Sequence, residues 1–177
     1  VPFCAQLLAD GGADVIKIEA PDGDPTRRID PLAPGETRTF LSRNRGKRSL
    51  PLNLRDPRAA PVVEALVRMV HAQAPSLVVL SGDLTQRARP AQFRATRAFM
   101  DRLGAPMLAV PGNHDIPLFD LWTRLRHPYA RHIAAFGSEL EPVHSSSDLM
   151  VVCVNTTRVW RHKHGEVSAP QIDRVAR

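Results

Sequence analysis

The chain has 177 residues, with 24 Lys and Arg side chains against 18 Asp and Glu and a formal net charge of +6. At about 100–200 residues per domain, this length holds one domain or two incomplete ones. Hydrophobic residues make up 43% and charged residues 24%, as in ordinary globular proteins, which excludes wholesale disorder. No apolar run approaches the roughly 20 residues that a membrane helix requires, so the sequence predicts no membrane span.

The charge distribution and the cysteines exclude further classes. Basic residues are spread along the chain, so we expect no specific nucleic-acid binding. Cys4 and Cys153 lie far apart in apolar stretches, which predicts two small buried side chains rather than a disulfide or a zinc site. The first residues contain neither Met nor a basic segment, which is typical of an internal start and not of a signal peptide. We therefore expect a cytoplasmic protein.

The first part of the chain combines short regular segments with a long loop. Residues 3–9 fit a helix that ends at two glycines. Residues 14–19 alternate polar and apolar side chains, as a strand does, and residues 48–54 alternate again. Pro51 makes this second segment an edge strand. Residues 20–39 are rich in Pro, Gly, Asp and Arg and are predicted to form a loop.

After Pro61 the pattern becomes a regular alternation of helices and strands. Helical spacing or composition predicts helices over residues 62–72, 90–103, 117–136 and 168–177, and continuous apolar runs predict strands over residues 76–80, 107–110 and 149–154. This order is typical of βαβ units with a largely parallel sheet. We expect the three strands to be neighbours in one sheet, so the predicted class is α/β.

Two of these strands end in polar motifs, Gly82–Gln86 and Gly112–Asp115. Ligands of open α/β sheets bind beyond the carboxyl ends of strands, where both motifs fall. Asp83 offers carboxylate oxygens and Asn113 an amide oxygen, which suit divalent cations. His114 could donate a proton, and Asp115 could orient its imidazole. Either motif alone is more often an ordinary turn, but the pair, separated by one helix, is far more specific.

The second part of the chain resembles the calcineurin-like metallophosphoesterases, closest to the branch that includes bacterial cyclic-nucleotide phosphodiesterases. The resemblance covers about residues 62–177 and is carried by Gly82-Asp83-Leu84-Thr85-Gln86, Gly112-Asn113-His114-Asp115, His127-Pro128-Tyr129-Ala130-Arg131 and Val154-Asn155-Thr156-Thr157-Arg158. It implies a dinuclear site for divalent Mn, Fe or Zn. In that site Asp83 would bridge the metals, Asn113 would bind the second one, and His114 would stabilise or protonate the departing alkoxide. The implied substrate is a phosphodiester or phosphomonoester, with a cyclic nucleotide as one candidate.

Two departures from that family predict impaired catalysis. The family's first motif, Asp-x-His, has no counterpart, and Asn53 and Arg55 stand at about its position. An arginine side chain does not ligate a cation. The family's last motif, Gly-His-x-His, is absent as well. His162-Lys163-His164 imitates its spacing without the glycine and is more typical of a solvated loop. The chain is therefore expected to carry about half of a dinuclear site.

The first part of the chain resembles the N-terminal segment of class III CoA-transferases. The matching segments are Gln6 to Glu19, Gly23-Asp24-Pro25-Thr26-Arg27-Arg28 and Phe40 to Leu50. In that family the Asn-x-x-Lys-Arg-Ser segment lies beside bound CoA, so Lys47 and Arg48 could bind phosphates. Without the rest of that fold, a solvated basic loop is the favoured interpretation of these two residues. The family's nucleophilic Asp belongs to a later segment that this chain lacks. The alternative function is therefore a CoA-binding fragment without catalytic activity.

The two resemblances meet between Leu54 and Pro61, which predicts a fusion. The expected organisation is a CoA-transferase-like α/β fragment over residues 1–60, followed by a truncated metallophosphoesterase α/β sandwich over residues 61–177. In this interpretation residues 1–60 pack loosely, and residues 48–54 could replace the missing first strand beside residues 76–80. The sequence predicts no particular oligomeric state.

Overall fold

The computed structural model describes residues 2–29, 31–34, 36–161 and 164–176. The chain divides into two compact units, Val1–Leu66 and Val67–Arg177. The boundary falls within a helix, Ala60–Gln73, in which the apolar residues recur at helical spacing. Each unit contains its own helices and its own parallel pair of strands.

The first unit contains short elements joined by tight turns. They are helices α1 (Pro2–Asp10) and α2 (Arg38–Asn44), strands β1 (Val15–Glu19), β2 (Pro31–Ala33), β3 (Glu36–Thr37) and β4 (Lys47–Pro51), and 3-10 turns at Pro25–Arg28 and Pro57–Ala59. The prediction of one long loop over residues 20–39 is therefore wrong. Side-chain caps organise this stretch, because Asp24 accepts a hydrogen bond from the N–H of Thr26 at 2.8 Å and Thr37 accepts one from that of Phe40 at 2.9 Å.

Strands β1 and β4 form a parallel pair, in register from Val15 opposite Lys47 to Glu19 opposite Pro51. The prediction that residues 48–54 would replace a missing strand beside residues 76–80 is therefore wrong. Parallel strands need a long crossover connection, and the segment that contains α2 supplies it within the first unit. Pairing with β1 thus provides hydrogen-bond partners for the backbone of β4 within the first unit.

A charged cluster closes the carboxyl end of β1. Glu19 is buried and accepts a hydrogen bond from Arg27 at 3.3 Å, and Lys17 donates one to Asp24. Burial alone would raise the pKa of Asp24, but the hydrogen bonds from Lys17 and Thr26 outweigh it and lower that pKa to about 2. The cluster therefore stabilises the turn that follows β1 as long as Asp24 is ionised.

The second unit begins within α3 (Ala60–Gln73) and continues through strand β5 (Val78–Ser81), helix α4 (Pro90–Asp101), strand β6 (Met107–Val110), a 3-10 turn at Asn113–Asp115, helices α5 (Leu121–Arg126) and α6 (Ala130–Phe136), strands β7 (Val143–Ser145) and β8 (Met150–Val152), and helix α7 (Ala169–Ala176). Pro90 occupies the first position of α4, where its missing N–H costs no hydrogen bond. The predicted α/β class and the βαβ unit of β5, α4 and β6 are confirmed.

Strand β8 does not join β5 and β6 in the part of the chain that the structure describes. It pairs antiparallel with β7, Ser145 opposite Met150, across a turn in which Ser146 Oγ accepts the N–H of Leu149 at 3.1 Å. The prediction that residues 149–154 would be a third strand of one sheet is therefore wrong. The polar turn between these two short strands favours a local hairpin over a distant parallel pairing.

The core of the second unit surrounds Phe93 of α4. Phe93 is buried, and its ring lies edge-on to those of His132 and Phe136, with centroids at 6.4 and 6.5 Å. Cys153 is buried, as predicted, whereas Cys4 is exposed on α1 and the prediction for it is wrong. None of the described helices combines the length and the apolar surface that a bilayer span requires.

Candidate active site

The site is built where β5 and β6 end side by side. Ser81 lies opposite Val110 in the parallel register, so the two following loops leave the sheet from adjacent positions. The first loop starts at Gly82 and the second contains Gly112. This is the carboxyl end of the strand pair, the edge at which α/β proteins bind ligands.

The two loops touch through their backbones at Asp83 and Gly112. A Cβ atom added to Gly112 would lie 2.0 Å from the backbone nitrogen of Asp83, so only glycine fits there without a displacement. Asp83 adopts a left-handed conformation, with φ of 51°, which aspartate tolerates better than most residues. Strained backbone of this kind is common at functional sites.

The side chain of Asp83 reaches the turn that holds the other predicted site residues. Its Oδ1 accepts a hydrogen bond from the backbone N–H of His114 at 3.1 Å. Asp83 and His114 are exposed, and Asn113, the residue between Gly112 and His114, is half-buried. The structure thus brings Asp83 to the Asn113–Asp115 turn, although the two lie about thirty residues apart in sequence.

Asp115 has partners that the sequence did not predict. It is fully buried, and each carboxylate oxygen accepts two hydrogen bonds. Oδ1 accepts the backbone N–H and the hydroxyl of Thr85 at 2.7 and 2.9 Å, and Oδ2 accepts the N–H groups of Leu84 and Gly112 at 3.0 and 2.8 Å. A carboxylate has about four acceptor positions, so these bonds fill them. The expectation that Asp115 orients the imidazole of His114 conflicts with this saturation.

The imidazole of His114 is held instead by the first loop. Its Nδ1 lies 3.0 Å from the carbonyl oxygen of Gln86. A carbonyl only accepts hydrogen bonds, so Nδ1 carries the proton in this contact. Asp83 and His114 both line a cavity of about 560 Å³, whose other walls come from the first loop and from α4. Thr85 and Gln86 are therefore site residues that sequence reasoning passed over, although both stand in the first polar motif.

The residues expected at the first metal position belong to the first unit. Asn53 and Arg55 line a cavity of about 460 Å³ there together with Glu19 and Asp22. Asn53 Oδ1 accepts the N–H of Arg55 at 3.1 Å, a local turn. The His162-Lys163-His164 segment, which imitates the spacing of the family's last motif, is described only in part. His162 and Lys163 lie outside the described residues, and His164 has a φ of 60°.

Comparison with known families decides the identity of the second part of the chain. The family model described as calcineurin-like phosphoesterase matches residues 57–174, about two thirds of the chain. The chain belongs to the calcineurin-like phosphoesterase family. The model for CoA-transferase family III matches residues 1–75, so this calcineurin-like phosphoesterase also contains a CoA-transferase fragment, and both resemblances seen in the sequence are confirmed.

Curated relatives match each part separately. The succinyl-CoA–L-malate CoA-transferase beta subunit of Chloroflexus aurantiacus is 52% identical over 68 residues, which are 37% of this chain and 17% of that protein. The succinyl-CoA:glutarate CoA-transferase of Mus musculus is 45% identical over 67 residues, 37% and 15% of the two chains. A probable cyclic nucleotide phosphodiesterase of Synechococcus sp. is 41% identical over 61 residues, 34% and 22% of the two chains. The chain thus spans less than a quarter of the length of each.

Calcineurin-like phosphoesterases generally use divalent metals and act on phosphoesters, so a working site needs enough donor atoms to hold such ions. Among the described residues, no three His, Cys, Asp or Glu side chains form a group that could hold a metal ion. The described residues therefore do not fit a dinuclear centre. Asp83 and Asn113 offer carboxylate and amide oxygens, which are the kinds of donor that hard cations prefer.

Proposed function

We propose that the second unit is a phosphoester hydrolysis site of low activity, acting on phosphodiesters or phosphomonoesters. In this proposal Asp83 and Asn113 hold one divalent cation, and His114 assists the leaving oxygen. The observation that carries the proposal is the contact between Asp83 Oδ1 and the backbone N–H of His114 at 3.1 Å. It attaches the Asp83 carboxylate to the turn that carries Asn113 and His114, at one edge of the strand pair. Carboxylate, amide and imidazole side chains are groups that phosphoester hydrolysis uses.

The donor set favours particular metals. Carboxylate and amide oxygens without sulfur or imidazole ligands suit Mn²⁺ or Mg²⁺ better than Zn²⁺. Such a cation supplies positive charge against phosphoryl oxygens and lowers the pKa of its bound water. Two protein oxygens on an exposed edge bind it weakly, which is the physical reason for the low activity.

The side chains of the cavity have separate tasks in this proposal. Nδ1 of His114 keeps its proton in the bond to the carbonyl oxygen of Gln86. In the imidazolium form Nε2 also bears a proton, which can pass to the departing alkoxide. The cavity of about 560 Å³ is large enough for a nucleotide-sized ligand. A cyclic nucleotide is therefore a candidate substrate, in line with the name of the matching Synechococcus protein.

The test is hydrolysis of bis(p-nitrophenyl) phosphate with added Mn²⁺. The chain as it stands should hydrolyse the substrate too slowly for its rate to be distinguished from that of Asp83→Ala. A second chain replaces residues 1–60 by a strand ending in Asp-x-His and adds a segment with Gly-His-x-His after residue 177. It should show turnover that Asp83→Ala abolishes. No turnover in the second chain would refute the site, and a robust Asp83-dependent rate in the first would refute the impairment.

The alternative function is a CoA-binding fragment in the first unit. One observation favours it: burial, and after it the neighbouring charge of Lys17, lower the pKa of Lys47, so two ammonium groups lie near each other in this unit. Against it, Lys47 Nζ donates to the carbonyl oxygen of Arg43 at 2.7 Å, and Arg48 pairs with Asp14 at 3.3 Å. Titration with CoA distinguishes the two functions, because only the alternative predicts binding that a Lys47→Ala change weakens.

A further inference from the structure

We propose that Asp115 is a positioning residue which, with Thr85, clasps the two loops of the site together. The clasp rests on the proposed function, because its task is to hold Asp83 and Asn113 beside one another. It assigns Asp115 no contact with substrate or with the reacting atoms. Asp115 accepts four hydrogen bonds, is fully buried, and lies beside the left-handed backbone of Asp83.

The bonds of Asp115 link both loops through one side chain. Three come from Leu84 and Thr85 of the first loop, and the fourth comes from the N–H of Gly112 in its own loop. Hydrogen bonds to an ionised carboxylate are stronger than those between neutral groups. Because the carboxylate is fully buried, water cannot replace a lost partner, so each bond holds its loop closely.

The clasp also accounts for the unusual backbone of Asp83. A left-handed conformation is unfavourable for a residue with a Cβ atom and needs support from its surroundings. The next two residues, Leu84 and Thr85, direct their N–H groups at Asp115 at 3.0 and 2.7 Å. Fixing these two groups fixes the turn at Asp83, and the Asp83 carboxylate then meets the N–H of His114.

Thr85 anchors the clasp from the other side. It is buried, its hydroxyl donates to Asp115 at 2.9 Å, and the same oxygen accepts the N–H of Ala88 at 3.0 Å. Helix α4 adds a further bond, because Thr96 Oγ1 donates to the carbonyl oxygen of Leu84 at 2.9 Å. The first loop is thus held between α4 and Asp115. A valine at position 85 would keep the shape of threonine and remove the hydroxyl.

The test compares clasp variants with a variant that only destabilises the second unit. The full 177-residue chain is studied as Asp115→Asn, Thr85→Val and Thr85→Ser, with Phe93→Leu as the control for a loss of core packing. Two quantities are measured under conditions where each variant stays folded. They are the amide hydrogen exchange of Leu84, Thr85 and Gly112 relative to β5 and β6, and the dissociation constant for Mn²⁺.

Asp115→Asn should speed exchange at those three amides by about tenfold or more relative to the strands, as a local opening does. It should also weaken Mn²⁺ binding by about 10–100-fold, the usual effect of losing a group that supports a metal ligand. Thr85→Val should also speed the exchange of these amides and weaken Mn²⁺ binding, to a smaller degree. Thr85→Ser should match the parent chain in both quantities, because serine keeps the hydroxyl. Phe93→Leu should leave the relative exchange of the loops and the dissociation constant within about twofold of the parent.

The outcomes separate this inference from the proposed function. Faster amide exchange confined to Leu84, Thr85 and Gly112 in Asp115→Asn supports the clasp, whether or not the parent chain binds Mn²⁺. Absence of Mn²⁺ binding in the parent chain would refute only the metal site. The same exchange pattern in Asp115→Asn and Phe93→Leu would overturn the clasp, whatever the dissociation constants for Mn²⁺ are. If Asp115→Asn does not fold, the Thr85→Val and Thr85→Ser pair decides, and equal behaviour of these two would overturn the clasp.

Discussion

The contact between the two loops makes a specific prediction about Gly112→Ala. The added methyl group would lie 2.0 Å from the backbone nitrogen of Asp83 and 2.2 Å from its Oδ1. The backbone of Gly112 has φ of −100° and ψ of 176°, which alanine adopts without strain. The whole cost of the change is therefore steric.

The size of that cost follows from the distances. Contacts of this kind relax to about 3.5 Å, so the loops must separate by about 1.5 Å. Overpacking of this kind costs about 1–3 kcal/mol. The separation also stretches the hydrogen bond between the N–H of Gly112 and the buried Asp115, worth about 1.5–3 kcal/mol. We expect the free energy of unfolding of the second unit to fall by about 3–5 kcal/mol, which is more than 10 °C in melting temperature.

Urea unfolding followed by tryptophan fluorescence measures this loss, because Trp122 and Trp160 both belong to the second unit. Gly104→Ala is the matched control. Gly104 has φ of 63°, and an added Cβ would have no atom within 4 Å. Its cost is purely conformational, about 1–2 kcal/mol. If Gly112→Ala loses no more stability than Gly104→Ala, the loops do not touch as described and the reasoning fails.

Two predictions concern pH. Because the pKa of Asp24 is lowered to about 2, its stabilising effect is complete above the unfolded value of 3.8 and is lost as pH falls through 2. NMR titration should find this low pKa and find it raised by Lys17→Met; a pKa near 3.8 in the parent chain would contradict the cluster. Burial lowers the pKa of His132, so unfolding takes up a proton and the second unit loses stability as pH falls below about 6.5. Urea midpoints at pH 7.5 and 5.0 should differ more in the parent chain than in His132→Leu, and equal differences would refute this.

The regular elements nearest the site could be predicted from sequence. Helical spacing in α3 and the apolar runs of β5 and β6 are local signals, and parallel order follows from the helix between the strands. Because parallel strands end at the same edge of a sheet, this order also predicts that Asp83 and the Asn113–Asp115 segment lie near each other. Each of these steps depends on residues close together in the chain.

The errors come from interactions that no local pattern encodes. The apolar run at β8 fits a buried parallel strand equally well, and only pairing with β7 decides that it forms a hairpin. Asp115 accepts hydrogen bonds from Thr85, thirty residues away in sequence. The position of Asp115 next to His114 therefore does not indicate its hydrogen-bond partners. Short helices such as α2 depend on a single cap and show no periodicity over their seven residues.

Mn²⁺ binding to the full chain, followed by electron paramagnetic resonance, shows directly whether the Asp83 edge holds a cation. We expect at most one ion per chain, bound weakly, with a dissociation constant of about 1 mM, as for a site with few protein ligands. Asp83→Ala should abolish this binding, and Asp14→Ala, an exposed carboxylate in the first unit, should leave it unchanged. Two tightly bound ions, or binding that survives Asp83→Ala, would contradict a single weak site at Asp83.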